Sequence, residues 1–171
     1  MKLSLVGRGP GWERAIADEE EGRAIWCVST VFRELRSVDV QPTRVFQLHE
    51  RSLFEPWLFE EQNRVVLMKA DPEFDCAKVL PAEKLLSIFG GHFGSSFAWM
   101  FALALIEGFT DISIHGIHLA QQSEYGSQRD TFHWFVGVAQ SKGIKVNIDE
   151  DSGVFIANQA YEFKGVYNGK N

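Results

Sequence analysis

Short, continuously apolar runs recur along this chain, and longer stretches with helical character separate them. The run AIWCVS at residues 24–29 is apolar at successive positions, whereas a strand with one face in water alternates apolar and polar residues. Continuous apolar runs are typical of strands covered on both faces, as in parallel sheets. We therefore predict strands over residues 2–6, 24–29, 44–48, 64–68, 111–115 and 144–148.

Two helices are predicted between these strands. The first spans residues 95–107, where Ser95 or Ser96 can cap the start. Its apolar residues lie nearly all the way round, so we expect burial on more than one side. The second spans about residues 128–142, with Ser127 in the capping pattern Ser-x-x-Asp. The strand–helix–strand order in this half predicts an α/β fold with a parallel sheet.

The remaining segments carry weaker signals. Residues 51–63 are apolar without a clear period, so we predict a loop or short helix that covers a sheet edge or a pocket. A last strand is expected in the tail after residue 153. No repeat or low-complexity linker divides the chain, and a length of 171 residues predicts one domain over residues 1–171.

Composition excludes several classes of protein. A formal charge of -6 argues against a sequence-independent nucleic-acid binder, which needs a basic face. Two cysteines cannot build a disulfide framework, and Cys27 lies in an apolar run, where a buried free thiol is expected. The longest apolar run, residues 97–106, is half the length of a membrane span. We expect a cytosolic (cytoplasmic) protein with no membrane partner.

A glycine-rich turn, Gly7-Arg8-Gly9-Pro10-Gly11, follows the first predicted strand. Glycines let backbone N–H groups approach a phosphate closely, and Arg8 could add a positive charge. Trp12 stands where a dinucleotide fingerprint needs its third glycine, so that cofactor class is excluded. A phosphate-binding turn and a purely structural turn remain the alternatives.

A second glycine–serine cluster, Gly94-Ser95-Ser96, opens the first predicted helix. Its N–H and hydroxyl groups could bind an anion, although a plain serine cap needs only one serine. Ligands of open parallel sheets lie outside the carboxyl ends of the strands, where both clusters are expected. Together the two clusters favour a phosphate or nucleotide site.

The segment after the 111–115 strand carries further candidates. Arg129 could pair with a phosphate, and Glu124 could accept a ribose hydroxyl or act as a base. His118 is the other candidate acid/base residue, while His115 and His118 do not have a well-supported metal-pair spacing. Solvated surface charges and a packed histidine are the alternatives.

Two more polar positions follow predicted strands. His49 ends the third strand and could act as a general base, but a single histidine is weak support. Residues 149–151 (Asp-Glu-Asp) could hold Mg²⁺, and a solvated turn is the alternative. The sequence assigns no metal ligands and does not identify a cofactor.

Three segments resemble known families. LVGRGPGW at residues 5–12 is similar to the Gly-x-Gly-Pro-Ser start of bacterial CMP-sugar sialyltransferases and of MptE-like 6-hydroxymethylpterin diphosphokinases. CVSTVFRE at residues 27–34 and FGSSFAWMFALALIEGFTDISIHGIHL at residues 93–119 are similar to later parts of these families. A nearer resemblance is to short bacteriophage proteins that share Glu124-Tyr125 and Gln128-Arg129. The likeness covers roughly residues 3–148.

The resemblance implies a Rossmann-like, three-layer fold with a mostly parallel sheet and a nucleotide site. The family's phosphate and ribose contacts map onto Gly7, Gly9, Pro10, Ser95 and Ser96, and less directly onto Ser29.

Two departures bear on the chemistry. Gly11 replaces the serine that the families carry after Pro10, and His118 replaces an aspartate after Gly-Ile. Only about eight residues separate His118 from the next predicted helix, too few for the lid that carries the sialyltransferases' catalytic histidine.

Three functions follow as alternatives. The first is a nucleotide- or nucleotide-sugar-binding transferase that acts on a phosphorylated small molecule, glycosyl or pyrophosphoryl groups being the candidates for transfer. The second is a non-catalytic phage protein that sequesters a nucleotide signal of host defence. The third is an interaction module that forms a homo-oligomer through residues 51–63 and the apolar helix.

Overall fold

Seven parallel strands form the central sheet in the described part of the chain. A computed structural model describes residues 1–118 and 123–149, with only the backbone described for residues 123–127. The strands are β1 (Lys2–Val6), β2 (Ala24–Val28), β3 (Arg44–Gln47), β4 (Val65–Leu67), β5 (Lys78–Val79), β6 (Asp111–His115) and β7 (Lys145–Ile148). Their order is β5-β4-β3-β2-β1-β6-β7, and each neighbouring pair is parallel.

Among the residues that the structure describes, five α-helices cover the two faces of this sheet. They are α1 (Ala15–Glu20), α2 (Phe32–Ser37), α3 (Ala82–Phe89), α4 (Ser96–Ile106) and α5 (Ser123–Ser141). Leu3 and Leu5 of β1 pack in one core with α3, α4 and α5, and Val6 packs in another with α1 and α2. The α/β, Rossmann-like, three-layer fold predicted from the sequence is confirmed, and the described sheet is entirely parallel.

The helix predicted over residues 95–107 is confirmed as α4, which is buried on several sides. Six of its residues are buried: Ala98, Met100, Phe101, Ala102, Leu103 and Ala104. The helix predicted over residues 128–142 begins earlier, at Ser123, so Ser127 lies inside α5 rather than at its cap. Serines occur at both positions 123 and 127, and the capping pattern is only four residues long. The local sequence alone could therefore not decide at which serine the helix begins.

The segment 51–63 forms two 3₁₀ turns, Arg51–Leu53 and Pro56–Phe59. Leu58 of the second turn packs in a small apolar cluster with Val65 and Leu67 of β4, the strand next to the edge strand β5, and with Phe74. This agrees with the prediction of a loop or short helix over a sheet edge. The predicted strand after residue 153 lies outside the described residues.

The chain reverses its direction of sheet growth at β1. Strands β1 to β5 add successively on one side, whereas β6 returns to pair with β1 on its other side. Ligands of such sheets bind outside the carboxyl ends of the strands near a reversal of this kind. The turns after β1, β2, β3 and β6 are therefore the places to look for a site.

Candidate functional site

A cleft of about 440 Å³ opens at the carboxyl ends of β2 and β3, beside the start of α4. We call it the serine cleft. It brings together three of the residues predicted to bind a nucleotide: Ser29, Ser95 and Ser96. Its other lining residues are Val28, Thr30, Phe46, His49, Gly94, Phe97 and Gln128. The volume lies within the usual range for small-molecule sites.

The start of α4 supplies hydrogen-bond donors to this cleft. Ser95 is the N-cap, and its Oγ accepts a hydrogen bond from the Ala98 N–H at 3.3 Å. Ser96 is the first residue of the helix and lines the cleft with Phe97. Backbone N–H groups in a first helical turn lack intrahelical partners, and the helix dipole favours negative charge there. An anionic group in the cleft would meet these donors.

Ser29 is oriented by a buried side chain that sequence reasoning did not identify. Its hydroxyl donates a hydrogen bond to Oε1 of Gln47, the last residue of β3. Gln47 in turn donates from Nε2 to the Leu53 carbonyl oxygen at 3.5 Å. Because a hydroxyl oxygen also accepts hydrogen bonds, Ser29 can still receive one from a ligand. A polar residue that ends a strand otherwise apolar at Val45 and Phe46 was the available signal.

The glycine-rich turn packs against the end of β6. Gly7 and Gly9 donate their N–H groups to the carbonyl oxygens of His115 at 2.9 Å and Gly116 at 2.7 Å. A Cβ on Gly7 would lie 2.5 Å from the Gly116 oxygen and 2.9 Å from the Phe97 ring. These two glycines therefore permit close contact with β6 and α4, and their amide donors are already engaged.

Arg8 lines a cleft other than the serine cleft. It forms an ion pair with Glu34 at 3.0 Å. Both residues line a second cleft of about 350 Å³, beside α2, which shares Ser29 and Thr30 with the first. The structure thus places Arg8 near Ser29 but in a different cleft from Ser95 and Ser96.

The remaining predicted residues, Pro10 among them, occupy different surroundings. His118 lies against the glycine-rich turn, with Nε2 3.2 Å from the Pro10 carbonyl oxygen. Arg129 is half-buried and adjoins Gln128, which lines the serine cleft. Glu124 is on the described backbone of α5, but its side chain lies outside what the structure describes.

A polar cluster that the sequence analysis did not predict fills the α1 side of β1, β6 and β7. The His115 ring lies between two carboxylates, with Nε2 2.8 Å from Asp18 and Nδ1 3.0 Å from Asp149. Arg23 is buried and pairs with Asp111 at 2.7 Å, and this guanidinium hydrogen bond lowers the pKa of the Asp111 carboxyl. Alternating polar residues in DISIH and KVNID were the available signal.

The structure also bears on the proposed magnesium residues. Asp149 forms an ion pair with Arg14 at 2.9 Å, and its carboxylate lies 3.0 Å from Nδ1 of His115. Residues 150 and 151 lie outside the described part of the chain. Within the residues described, no group of three or more His, Cys, Asp or Glu side chains is arranged to hold a metal ion.

Two further predictions from the sequence concern the Cys27 thiol and membrane-spanning helices. Cys27 is a buried free thiol as predicted, and burial raises its pKa. Among the helices described, none is both long and apolar enough to cross a membrane.

Comparison with known proteins finds a distant likeness to sialyltransferases. The chain aligns with an alpha-2,3/8-sialyltransferase CstII mutant at 12% identity and a TM-score of 0.44, covering 86% of this chain and 81% of that one. CstII from Campylobacter jejuni with CMP-3FNeuAc aligns at 12% identity and a TM-score of 0.42, covering 86% and 80%. No protein-family model and no curated protein sequence matches. A likeness this loose does not assign a function.

Proposed function

We propose that this chain binds a nucleotide or nucleotide-sugar in the serine cleft and acts as a transferase on a phosphorylated small molecule. The observation that supports this is the meeting of Ser29, Ser95 and Ser96 in one cleft at the carboxyl edge of a parallel sheet. Hydroxyl and backbone N–H donors at a helix N-terminus suit a phosphate, and the cleft has room for a nucleoside.

The remaining predicted residues take supporting roles in this proposal. Arg129, next to Gln128, would neutralise phosphate charge, and Glu124 or His118 would be the acid/base group that serves the leaving phosphate. Gly7, Gly9 and Pro10 hold the turn that contacts α4, and Arg8 approaches Ser29 from the second cleft. Either Arg129 or a Mg²⁺ ion could neutralise the phosphate charge. Ligand binding is therefore measured both with and without Mg²⁺.

One aromatic residue of the cleft suits a base. Phe97 is half-buried and lines the cleft together with the serines, whereas Phe46 is buried in the core. An aromatic face stacks on any nucleobase, so it favours binding without selecting one base. The resemblance of LVGRGPGW and CVSTVFRE to CMP-sugar enzymes makes CMP and CMP-sialic acid the first probes.

The decisive variant is Ser96→Asp. A carboxylate in the first turn of α4 suits the helix dipole, so the free protein keeps its melting temperature or gains slightly. The same carboxylate repels a ligand phosphate, so CMP should bind at least about tenfold more weakly. Thermal shift and calorimetry with CMP, CMP-sialic acid and pterins, with and without Mg²⁺, measure both effects.

Ser87→Asp is the matched control, since Ser87 lies on α3 and its hydroxyl donates to the Lys84 carbonyl oxygen. It should bind CMP as the parent does. If Ser96→Asp binds every probe as tightly as the parent, the serine cleft is not the site. The fate of CMP-sialic acid separates the two functional classes. Recovery of intact CMP-sialic acid after heat release of the ligand identifies a non-catalytic binder, and its conversion to CMP identifies a transferase or hydrolase.

A further inference from the structure

His115 is a buried titratable residue that the proposed function does not use. It ends β6, and its ring lies between two carboxylates that belong to other elements. Nε2 is 2.8 Å from Oδ2 of Asp18 in α1, and Nδ1 is 3.0 Å from Oδ2 of Asp149, which directly follows β7. The ring therefore connects three separate parts of the fold.

The number of protons on the ring decides how many of these contacts are favourable. A neutral imidazole has one N–H donor and one bare nitrogen, whereas an imidazolium has two N–H donors. With one proton, the ring bonds to one carboxylate and turns a nitrogen lone pair toward the other. With two protons, both contacts become charge-assisted hydrogen bonds. The geometry on the two sides of the ring therefore matches the imidazolium.

Both carboxylates are also paired with arginines. Asp18 lies 3.5 Å from Nε of Arg23 and accepts a hydrogen bond from the Ser4 hydroxyl, and Asp149 lies 2.9 Å from Nη1 of Arg14. A proton placed on either carboxylate would weaken an ion pair, so the ring is the better place for it.

The charged groups that the structure describes around the ring and its partners come from several elements. They are Asp18 of α1, Arg14 in the turn before α1, Arg23 before β2, Asp111 of β6, Lys145 of β7 and Asp149 after β7.

The same cluster contacts both ends of the glycine-rich turn. The His115 carbonyl oxygen accepts a hydrogen bond from the Gly7 N–H at 2.9 Å. At the other end, a Cβ on Gly11 would lie 3.3 Å from Oδ2 of Asp149. Gly7 also lies against the ring of Phe97, which lines the serine cleft. A rearrangement at His115 therefore reaches the turn and, through it, a wall of the cleft.

We propose that His115 is a pH-sensitive clamp, in which the imidazolium holds Asp18 and Asp149 together and fixes the glycine-rich turn for ligand binding in the serine cleft. As the pH rises, one ring proton passes to water and one of the two carboxylate contacts is lost. The clamp is therefore closed at lower pH and open at higher pH. Its effect on ligand binding rests on the proposed function, whereas the protonation of the ring does not.

Nitrogen NMR of protein labelled at histidine measures the protonation of the ring. At about pH 7.5, where an ordinary histidine is mostly neutral, both His115 nitrogens should give imidazolium signals that unfolding in urea removes. His115→Gln assigns these signals. Asp149→Asn removes one of the two negative charges, so the ring should become neutral at this pH. Glu60→Gln, at an exposed site, is the matched control and should leave the ring protonated.

The same titration, continued to about pH 10, tests the turn and the cleft. The amide shifts of Gly7 and Gly11 should change at the midpoint of the ring nitrogens in the parent and stay constant in His115→Gln. The dissociation constant of CMP should rise at least about fivefold across this transition, the lower end of usual coupling between sites. A phosphate monoester is almost fully ionised above about pH 7.5, so its own titration does not contribute. Asp149→Asn gives the same comparison if His115→Gln does not fold.

The outcomes separate the clamp from the function on which its effect depends. A neutral His115 ring at about pH 7.5 overturns the clamp, and retention of both ring protons to about pH 10 overturns its pH sensitivity. Glycine shifts or a CMP affinity that do not follow the ring transition overturn the link to the turn or to the cleft. Failure of CMP to bind at any pH overturns the proposed function, while the ring and glycine signals still decide the clamp.

Discussion

At the scale of single residues, the glycines of the first turn matter because of what touches them. Gly7 lies so close to the Gly116 carbonyl oxygen that a Cβ would stand 2.5 Å from it. Gly116 has a φ of 62°, in the left-handed region that favours glycine, so the contact cannot relax easily from its side. The turn after β1 therefore depends on the absence of a side chain at Gly7.

Gly7→Ala should lower the free energy of unfolding by about 1–3 kcal/mol, the usual cost of overpacking. Gly137 lies within α5, and a Cβ there would meet nothing within 4 Å. Gly137→Ala should therefore raise stability by about 0.5–1 kcal/mol, because alanine favours the helix. Urea unfolding of both variants measures the contrast, and equal effects would contradict the close-contact account.

At the scale of elements, α4 joins the core to the serine cleft. Its body is buried between the sheet and neighbouring helices, while its first residues line the cleft. Ser95 has a structural role as the N-cap, through its hydrogen bond from the Ala98 N–H. Ser96 has no such capping role, which is why substitutions at the two serines should behave differently.

Ser95→Ala should cost about 1 kcal/mol of stability, the usual loss when an N-cap is removed. Ser95→Asp should keep parent stability, because aspartate caps as well as serine. Ser141→Ala near the end of α5 serves as the control, since its hydroxyl donates only to the Val138 carbonyl oxygen in the preceding turn. Thermal unfolding separates the three variants, and a neutral Ser95→Ala would show that the cap does not contribute.

At the scale of the whole molecule, the polar cluster ties α1 to three strands. Arg23 donates to Ser4 of β1 and to Asp111 of β6, and Asn147 of β7 donates to Asp111 at 3.1 Å. Because Arg23 lowers the folded-state pKa of Asp111, the ionised carboxylate adds stability at pH values above 3.8, its ordinary pKa. This stability is lost as the pH falls from 3.8 past the lowered folded-state pKa, because the carboxyl then becomes protonated.

Asp111→Asn should therefore cost about 1.5–3 kcal/mol at pH 7, the usual range for hydrogen bonds to charged groups. The difference between parent and variant should shrink as the pH falls below 3.8, because the parent carboxyl then becomes neutral as well. Glu60→Gln at an exposed site is the control and should show little change at either pH. A difference that does not depend on pH would contradict the ion-pair explanation.

The sequence predicted six of the seven described strands, their parallel character and α4, because continuous apolar runs and a serine cap are local signals. The short, exposed strand β5 carries no such signal and was missed. The sequence also placed Ser95 and Ser96 at the start of a helix, and the family resemblance implied Ser29; the binding role of all three stays a prediction. The start of α5 at Ser123 was missed, because the local cap pattern was ambiguous there.

Only the tertiary structure decided which of these residues meet. Strand order placed Ser29 and His49 beside α4, and it placed Arg8 in a cleft next to α2. It also turned the glycine amides toward β6 and gathered Asp18, Arg23, His115 and Asp149 into one cluster. These are contacts between residues distant in the chain, and local periodicity carries no information about which strands become neighbours.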